Sequence, residues 1–122
     1  QSPCRSLPHF CFWAKIMMQL AHYVLPSGKD PFQSWLNRLA DIKARVAILR
    51  RIDRLMLGQT GDHKFLREGV RELRIDFGPG YRVYFALVSK DLVLVLCAGS
   101  KHHQSADIER AVDYLMDYKR RK

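Results

Sequence analysis

A run of three basic residues, Lys101-His102-His103, is a first place in this sequence where acid–base chemistry could occur. Histidine has an ordinary pKa of about 6.5, so it can take or give a proton near neutral pH. A neighbouring lysine can stabilise the negative charge that develops on a phosphate during its transfer. Together these side chains suit cleavage of a phosphodiester. The alternative is a solvated loop in which two histidines happen to adjoin a lysine.

A second basic group lies on two segments that alternate apolar and polar residues, 71–77 and 81–87, joined by Gly-Pro-Gly. If that turn is a three-residue loop, the alternation places four polar side chains on one exposed sheet face: Arg74, Asp76, Arg82 and Tyr84. Guanidinium groups bind phosphate bidentately, and a tyrosine ring can stack on a base, which predicts an RNA-binding surface. The alternative is a cross-strand ion pair between Arg82 and Asp76 on a solvated face.

The composition supports a polyanionic or acidic partner. The chain has 21 Lys and Arg against 12 Asp and Glu, a formal net charge of +9, which biases encounters toward nucleic acids or acidic proteins. Lys64 and Arg54 are therefore further RNA-binding candidates. The alternative is that the surplus charge serves solubility alone.

Metal and membrane chemistry are not expected. The three cysteines lack the spacing of a zinc site and cannot all pair within one chain, and consecutive histidines point apart. We predict no metal site and no cofactor. The longest apolar run, 92–98, is too short to cross a bilayer. We expect a cytoplasmic protein without a membrane partner.

The elements that must position these side chains begin after an expected N-terminal extension, residues 1–17, and fill a single domain, 18–122. A first strand is predicted over 18–25, and Asp30 followed by Pro31 predicts a helix start. A second helix is predicted over 41–57, with an apolar face at helical spacing: Ile42, Val46, Leu49, Ile52 and Met56.

The last two elements are a buried strand and a helix. The continuously apolar segment 92–97 predicts a strand covered on both faces, at the centre of the sheet. Ser105 is predicted to cap the final helix, which buries one stripe: Ile108, Ala111, Val112 and Leu115. The element order is β-α-α-β-β-β-α, an α/β (α+β) domain.

Several short motifs carry a resemblance to a known group. They are Asp30-Pro31-Phe32, Trp35-Leu36, Ile52-Asp53-Arg54-Leu55, Gly61-Asp62, Glu68-Gly69-Val70, Glu72-Leu73-Arg74-Ile75, Gly78-Pro79-Gly80-Tyr81-Arg82-Val83-Tyr84, Lys101, Gln104 and Asp107-Ile108. With them, the stretch from Met18 to Lys122 resembles the HigB-like or phage Gp49-like addiction-module killer proteins of the RelE/ParE superfamily.

That resemblance implies a compact RelE-like domain in which a helical hairpin and a C-terminal helix pack on a curved antiparallel sheet and frame a basic cleft. It also implies the toxin of a type II toxin–antitoxin system. The commonest activity would be a metal-independent, ribosome-dependent mRNA endonuclease that arrests translation. The implied partners are mRNA on the ribosome and a cognate antitoxin of the small helix-turn-helix type.

The resemblance also transfers roles to individual residues. Arg82 falls on the strand arginine that binds phosphate in ribonuclease members, and Lys101 on the basic position after the last strand. His102 stands where the best-known members have arginine, and Ile108 where they have the catalytic tyrosine. HigB-type members use a histidine near the last helix, which makes His102 or His103 candidates for catalysis. A ParE-like DNA gyrase poison and a plain nucleic-acid-binding module remain alternatives.

Overall fold

The computed structural model describes residues 18–121, so the predicted extension, residues 1–17, lies outside the described part of the chain. The elements, in chain order, are β1 (Gln19–His22), α1 (Pro31–Arg38), α2 (Ile42–Met56), β2 (His63–Phe65), β3 (Arg71–Ile75), β4 (Tyr81–Ser89), β5 (Leu92–Ser100), a 3₁₀ turn (Lys101–His103) and α3 (Gln104–Arg121).

The strands form one sheet in the order β1-β5-β4-β3-β2. It is antiparallel from β5 to β2, and β1 joins its other edge parallel to β5. The predicted α/β (α+β) fold class is confirmed, but the expected all-antiparallel sheet is wrong, because β1 pairs parallel to β5 and the sheet is mixed. β2 is an additional strand, because its three residues are too few to show the period of two on which the prediction relied. β5 is buried throughout 93–99, as predicted, but it lies beside β4, which is the middle strand.

Both helices of the hairpin begin at aspartate caps. Asp30 Oδ1 accepts a hydrogen bond from the backbone N–H of Gln33 at 3.0 Å, and Pro31 occupies the first helical position. Asp41 Oδ1 accepts from the N–H of Lys43 at 2.9 Å. These bonds satisfy donors that a helix start leaves free.

The apolar face predicted for α2 is largely not its buried face. Of the five residues, only Ile52 is buried, and Ile42, Val46 and Leu49 are exposed. The buried stripe is instead Ala44, Ile48, Ile52 and Leu55. α2 carries two apolar stripes at helical spacing, and periodicity cannot decide which of two such stripes meets the sheet.

Two cores cover the two sheet faces. One packs α1 and α2 against side chains such as Val83 and Phe85, and the other packs α3 against Tyr84 and its neighbours. The predicted cap at Ser105 is wrong, because α3 continues directly from the 3₁₀ turn and Ser105 lies inside the helix. Among residues 18–121, no helix is long and apolar enough to cross a membrane.

The turn between β3 and β4 is longer than predicted. Ile75 pairs with Tyr81, so five residues, 76–80, form the connection in place of three. The register therefore differs from the predicted one by two residues. Because side chains alternate with a period of two, an even shift keeps every side chain on its predicted face.

Candidate functional site

Two arginines lie side by side on the sheet face that α3 covers. Arg74 in β3 pairs directly with Arg82 in β4, and Arg82 pairs on its other side with Gly99 in β5. The prediction that both arginines share one face, opposite Leu73 and Val83, is confirmed. Like charges placed directly opposite each other repel, so this arrangement requires a compensating group.

The compensating group is Glu72, whose side chain is fully buried. Its Oε1 lies 3.4 Å from Arg74 Nε and 3.3 Å from an Arg82 guanidinium nitrogen. Gln104, in the first turn of α3, donates from Nε2 to Glu72 Oε2 at 2.6 Å. The carboxylate thus links both arginines to the start of α3. The alternative of an Arg82–Asp76 pair is wrong, because Asp76 lies beyond the end of β3 and Arg82 pairs with Glu72.

Sequence reasoning did not include Glu72 among the site residues. A signal was present, since Glu72 is two residues from Arg74 and therefore on the same strand face. The face was also expected to be exposed, whereas α3 covers it and leaves the Arg82 side chain only 18% exposed. Arg82 Nη1 meets Glu72 Oε1 as an ion pair, whereas Arg82 Nε has no hydrogen-bond partner among the described residues, so the guanidinium retains a donor that Glu72 does not use.

A cleft of about 200 Å³ opens beside the arginines. Its lining residues are Asp62, Arg74, Ile75, Asp76, Gly80, Tyr81, Arg82 and Lys101. The backbone N–H of Lys101 donates to Gly80 O at 3.3 Å, which fixes the lysine at the mouth of the β3–β4 turn. Three cations, Arg74, Arg82 and Lys101, therefore converge on one small cleft. Asp62 Oδ1, 3.7 Å from Arg74, offsets part of that charge.

The two histidines follow Lys101 but do not share its surroundings. Both are exposed. His103 Nδ1 lies 3.3 Å from Ser100 Oγ, and its side chain lines a different pocket together with Trp35 and Arg110. Within residues 18–121, His102 has no hydrogen-bond or ion-pair partner. Neither histidine is among the residues that line the cleft.

The prediction that Tyr84 stacks on an RNA base is wrong. The Tyr84 side chain is fully buried in the core beneath α3, between Glu72 on β3 and Cys97 on β5. Burial, followed by the nearby Glu72 and Asp107 carboxylates, raises the pKa of the phenol far above its usual value. Tyr84 therefore packs in the core, and its hydroxyl stays protonated. Alternation alone could not show that α3 covers this face.

Tyr84→Phe is therefore expected to leave both thermal stability and biological activity close to those of the wild type. The hydroxyl is buried without a hydrogen-bond partner among the described residues, so its removal breaks no bond and relieves a desolvated polar group. Thermal melting and a growth assay check this expectation. A loss of activity at unchanged melting temperature would restore a direct role for the hydroxyl.

Lys64 and Arg54 lie outside the cleft. Lys64 is exposed on the edge strand β2, where it lies opposite Glu72 in the register of β2 and β3. Arg54 is exposed in the last turn of α2 and lines a groove that adjoins the cleft. The structure therefore brings together Arg74, Arg82 and Lys101, and it leaves Lys64 and Arg54 at the periphery.

Among the residues that the structure describes, neither a reactive cysteine nor a cluster of metal ligands is found. Cys97 is buried, and burial together with Asp107 raises the pKa of its thiol to about 12, so it stays protonated near neutral pH. Residues 18–121 contain no group of three or more His, Cys, Asp or Glu side chains placed to hold a metal ion.

A five-stranded mixed sheet with three helices, including a C-terminal one, is consistent with a compact RelE-like domain. Comparison with known families is consistent with that class: the family described as phage-derived protein Gp49-like matches residues 34–113. An uncharacterised protein of Haemophilus influenzae is 46% identical over 80 residues, which cover 66% of this chain and 81% of the relative. The chain belongs to the Gp49-like family, a family of RelE/HigB-like addiction-module toxins.

Proposed function

We propose that this protein is the toxin of a toxin–antitoxin pair and that it cleaves mRNA on the ribosome. The observation that supports this activity is the convergence of Arg74, Arg82 and Lys101 on one cleft, with two arginines held side by side over a buried carboxylate. Side-by-side guanidinium groups suit the non-bridging oxygens of a phosphate. Family membership supports the toxin assignment.

The proposed reaction uses the RNA's own 2′-hydroxyl as the nucleophile. Its oxygen forms a bond to the adjacent phosphorus, and the bond from that phosphorus to the 5′-oxygen of the next nucleotide breaks. The products are a 2′,3′-cyclic phosphate and a 5′-hydroxyl. Arg82, Arg74 and Lys101 stabilise the charge of the phosphorane, and a general base takes the proton of the 2′-hydroxyl while an acid protonates the leaving oxygen.

A histidine of the 3₁₀ turn is the proposed proton carrier. His103 is engaged with Ser100 and lines the other pocket, whereas His102 has no partner among residues 18–121. We therefore propose His102. Neighbouring residues rarely present their side chains to the same atom, so the two histidines should not be equivalent.

Mapping of RNA 5′ ends tests this function. With purified ribosomes and mRNA in the Mg²⁺ buffer that keeps ribosomes intact, the wild-type chain should cleave the mRNA and leave 5′-hydroxyl ends. His102→Ala should slow cleavage by about a hundredfold, the usual range for a lost proton-transfer group, while the matched His103→Ala should stay near the wild-type rate. Fragments with 5′-phosphate ends would exclude this mechanism.

A second candidate function is a protein inhibitor of the DNA gyrase type. Two observations favour it: neither histidine lines the cleft, and Ile108 carries no proton-transfer group. An inhibitor of this kind needs an interface and no acid or base. Induction of the chain in a bacterium would then cause DNA breaks while mRNA stays intact, which the same 5′-end mapping would detect.

The proposed partner is a cognate antitoxin, of the small helix-turn-helix type expected from the sequence. A protein with a net charge of +9 and a cationic cleft requires a partner that offsets this charge and covers Arg82 and the Lys101 turn. Family membership supports the existence of the partner.

A further inference from the structure

A groove of about 680 Å³ runs between α2 and the end of β3, next to the cleft. Its lining residues are Ile42, Lys43, Val46, Ala47, Arg50, Arg51, Arg54, Asp62, Arg74, Ile75, Asp76 and Phe77. The α2 residues among them follow one face of the helix. This face is apolar at its start, around Ile42 and Val46, and cationic further along, around Arg50 and Arg54.

The apolar part of the groove is unusual for the surface of a small protein. Ile42 is 66% exposed and Val46 41% exposed, although they lie one helical turn apart on the same side of α2. Phe77 and Ile75 complete the apolar wall from the β3 side. Contiguous exposed apolar side chains mark surfaces that another molecule covers.

The charge of the groove indicates what kind of molecule that is. Lys43, Arg50 and Arg54 have no ion-pair partner within residues 18–121. Five cationic residues line the groove against two carboxylates, Asp62 and Asp76. An acidic occupant therefore gains attraction from cations that the fold leaves uncompensated.

We propose that this groove is the docking site of an acidic amphipathic segment of a protein partner. Its apolar side chains would lie on Ile42, Val46 and Phe77, and its carboxylates would meet Arg50 and Arg54. The face from residue 42 to residue 54 is about 18 Å long at 1.5 Å per residue, which accommodates about three turns of a helix. RNA would also complement the positive charge, but the apolar side chains of the groove make no favourable contact with a phosphate backbone, so we favour a protein.

The position of the groove gives this contact a regulatory consequence. Groove and cleft share four lining residues: Asp62, Arg74, Ile75 and Asp76. A segment seated in the groove would place its negative charge beside Arg74 and so repel an incoming RNA phosphate without entering the cleft. This regulatory consequence rests on the proposed function, because the partner would then be the antitoxin.

A peptide selection tests the docking site without any RNA or ribosome, so its failure is separate from a failure of the ribonuclease assignment. A random library of 16-residue phage-displayed peptides is selected on the purified chain. We expect the enriched peptides to combine Asp or Glu with apolar residues at helical spacing. A synthetic copy of the most enriched peptide is then used as the probe in fluorescence anisotropy.

Two double variants provide the comparison. Ile42→Ser with Val46→Ser should weaken binding of the peptide at least tenfold. Leu20→Ser with Met116→Ser, which removes similarly exposed apolar side chains from β1 and α3, should bind like the wild type. Both should melt near the wild-type temperature, because none of the four side chains is buried.

Four outcomes would overturn the proposal. In the first, the most enriched peptide binds the groove variant as tightly as the wild type; in the second, the enriched peptides lack acidic residues. The groove variant could lose affinity for a labelled single-stranded RNA and keep the peptide, which would assign the groove to nucleic acid. Sedimentation could show that the wild-type chain dimerises and that the groove variant does not, which would assign the surface to a second copy.

Discussion

Arg82→Lys is expected to lower the rate of mRNA cleavage by about ten- to a hundredfold while the protein stays folded. Lysine keeps the positive charge that the buried Glu72 needs, but it loses the planar guanidinium that binds two phosphate oxygens at once. Cleavage rate and melting temperature are measured on the same preparation. Arg82→Ala is a poorer test, because it also removes one partner of a buried ion pair and so destabilises the fold.

Arg71→Lys is the matched control for that experiment. Arg71 lies on the adjacent strand but on the opposite sheet face, where its guanidinium contacts the Phe65 ring at 4.4 Å. The same substitution there should leave cleavage unchanged. If Arg82→Lys retained full activity at wild-type stability, bidentate phosphate binding by Arg82 would be refuted, and the gyrase candidate would move ahead.

Gly99→Ala is expected to produce the largest loss of stability of any methyl-sized change near the site. A Cβ at position 99 would lie 2.0 Å from Asp107 Oδ2, so either the buried Asp107 carboxylate, which pairs with Arg110, or the start of α3 that carries it would have to shift. Overpacking of this kind costs about 1–3 kcal/mol, occasionally more. A domain of this size, between the smaller and larger classes, loses about 4 °C of melting temperature per kcal/mol, so the melting temperature should fall by roughly 4–12 °C.

The second partner in the clash supplies the control. Asp107→Ala removes the carboxylate that the new methyl group would meet, and Asp107 Oδ2 has no hydrogen-bond partner among the described residues. The double variant Gly99→Ala with Asp107→Ala should therefore melt higher than the two separate losses would predict. Strict additivity of the two changes would contradict the packing argument.

A shift of α3 caused by the Gly99→Ala methyl group should also disturb the cleft. Gly99 pairs with Arg82, and the first turn of α3 holds Glu72 through Gln104. A shift of α3 would loosen the carboxylate that keeps the two arginines side by side. Gly99→Ala should therefore also reduce cleavage at temperatures where the chain is still folded.

Much of the fold follows from local patterns in the sequence. Asp30-Pro31 marks the start of α1, and the long apolar run marks β5, because helix caps and buried strands are determined by neighbouring residues. The buried face of α2 could not be predicted in the same way. Ile42 and Val46 form as regular a stripe as Ala44 and Ile48, and only the packing of the sheet distinguishes them.

The site was predictable to the extent that strand alternation determines it. Arg74 and Arg82 share a face under either register of the turn, since the two registers differ by two residues. What covers that face was not predictable. The role of Tyr84 as a packing residue and of Glu72 as the buried counter-ion both depend on α3, which contacts the sheet from more than twenty residues further along the chain.

The pairing of β1 with β5 has a consequence for when the cleft is completed during synthesis. Gln19, near the first described residue, pairs with Leu92, and the carboxylate beneath the arginines is completed only by Gln104. Contacts so distant in sequence form late, and during synthesis they must wait until the later segment has left the ribosome. A nascent chain therefore carries Arg74 and Arg82 before Gln104 fixes the Glu72 carboxylate that holds them side by side. The proposed cleavage therefore requires that the segment around Gln104 has left the ribosome and packed against Glu72.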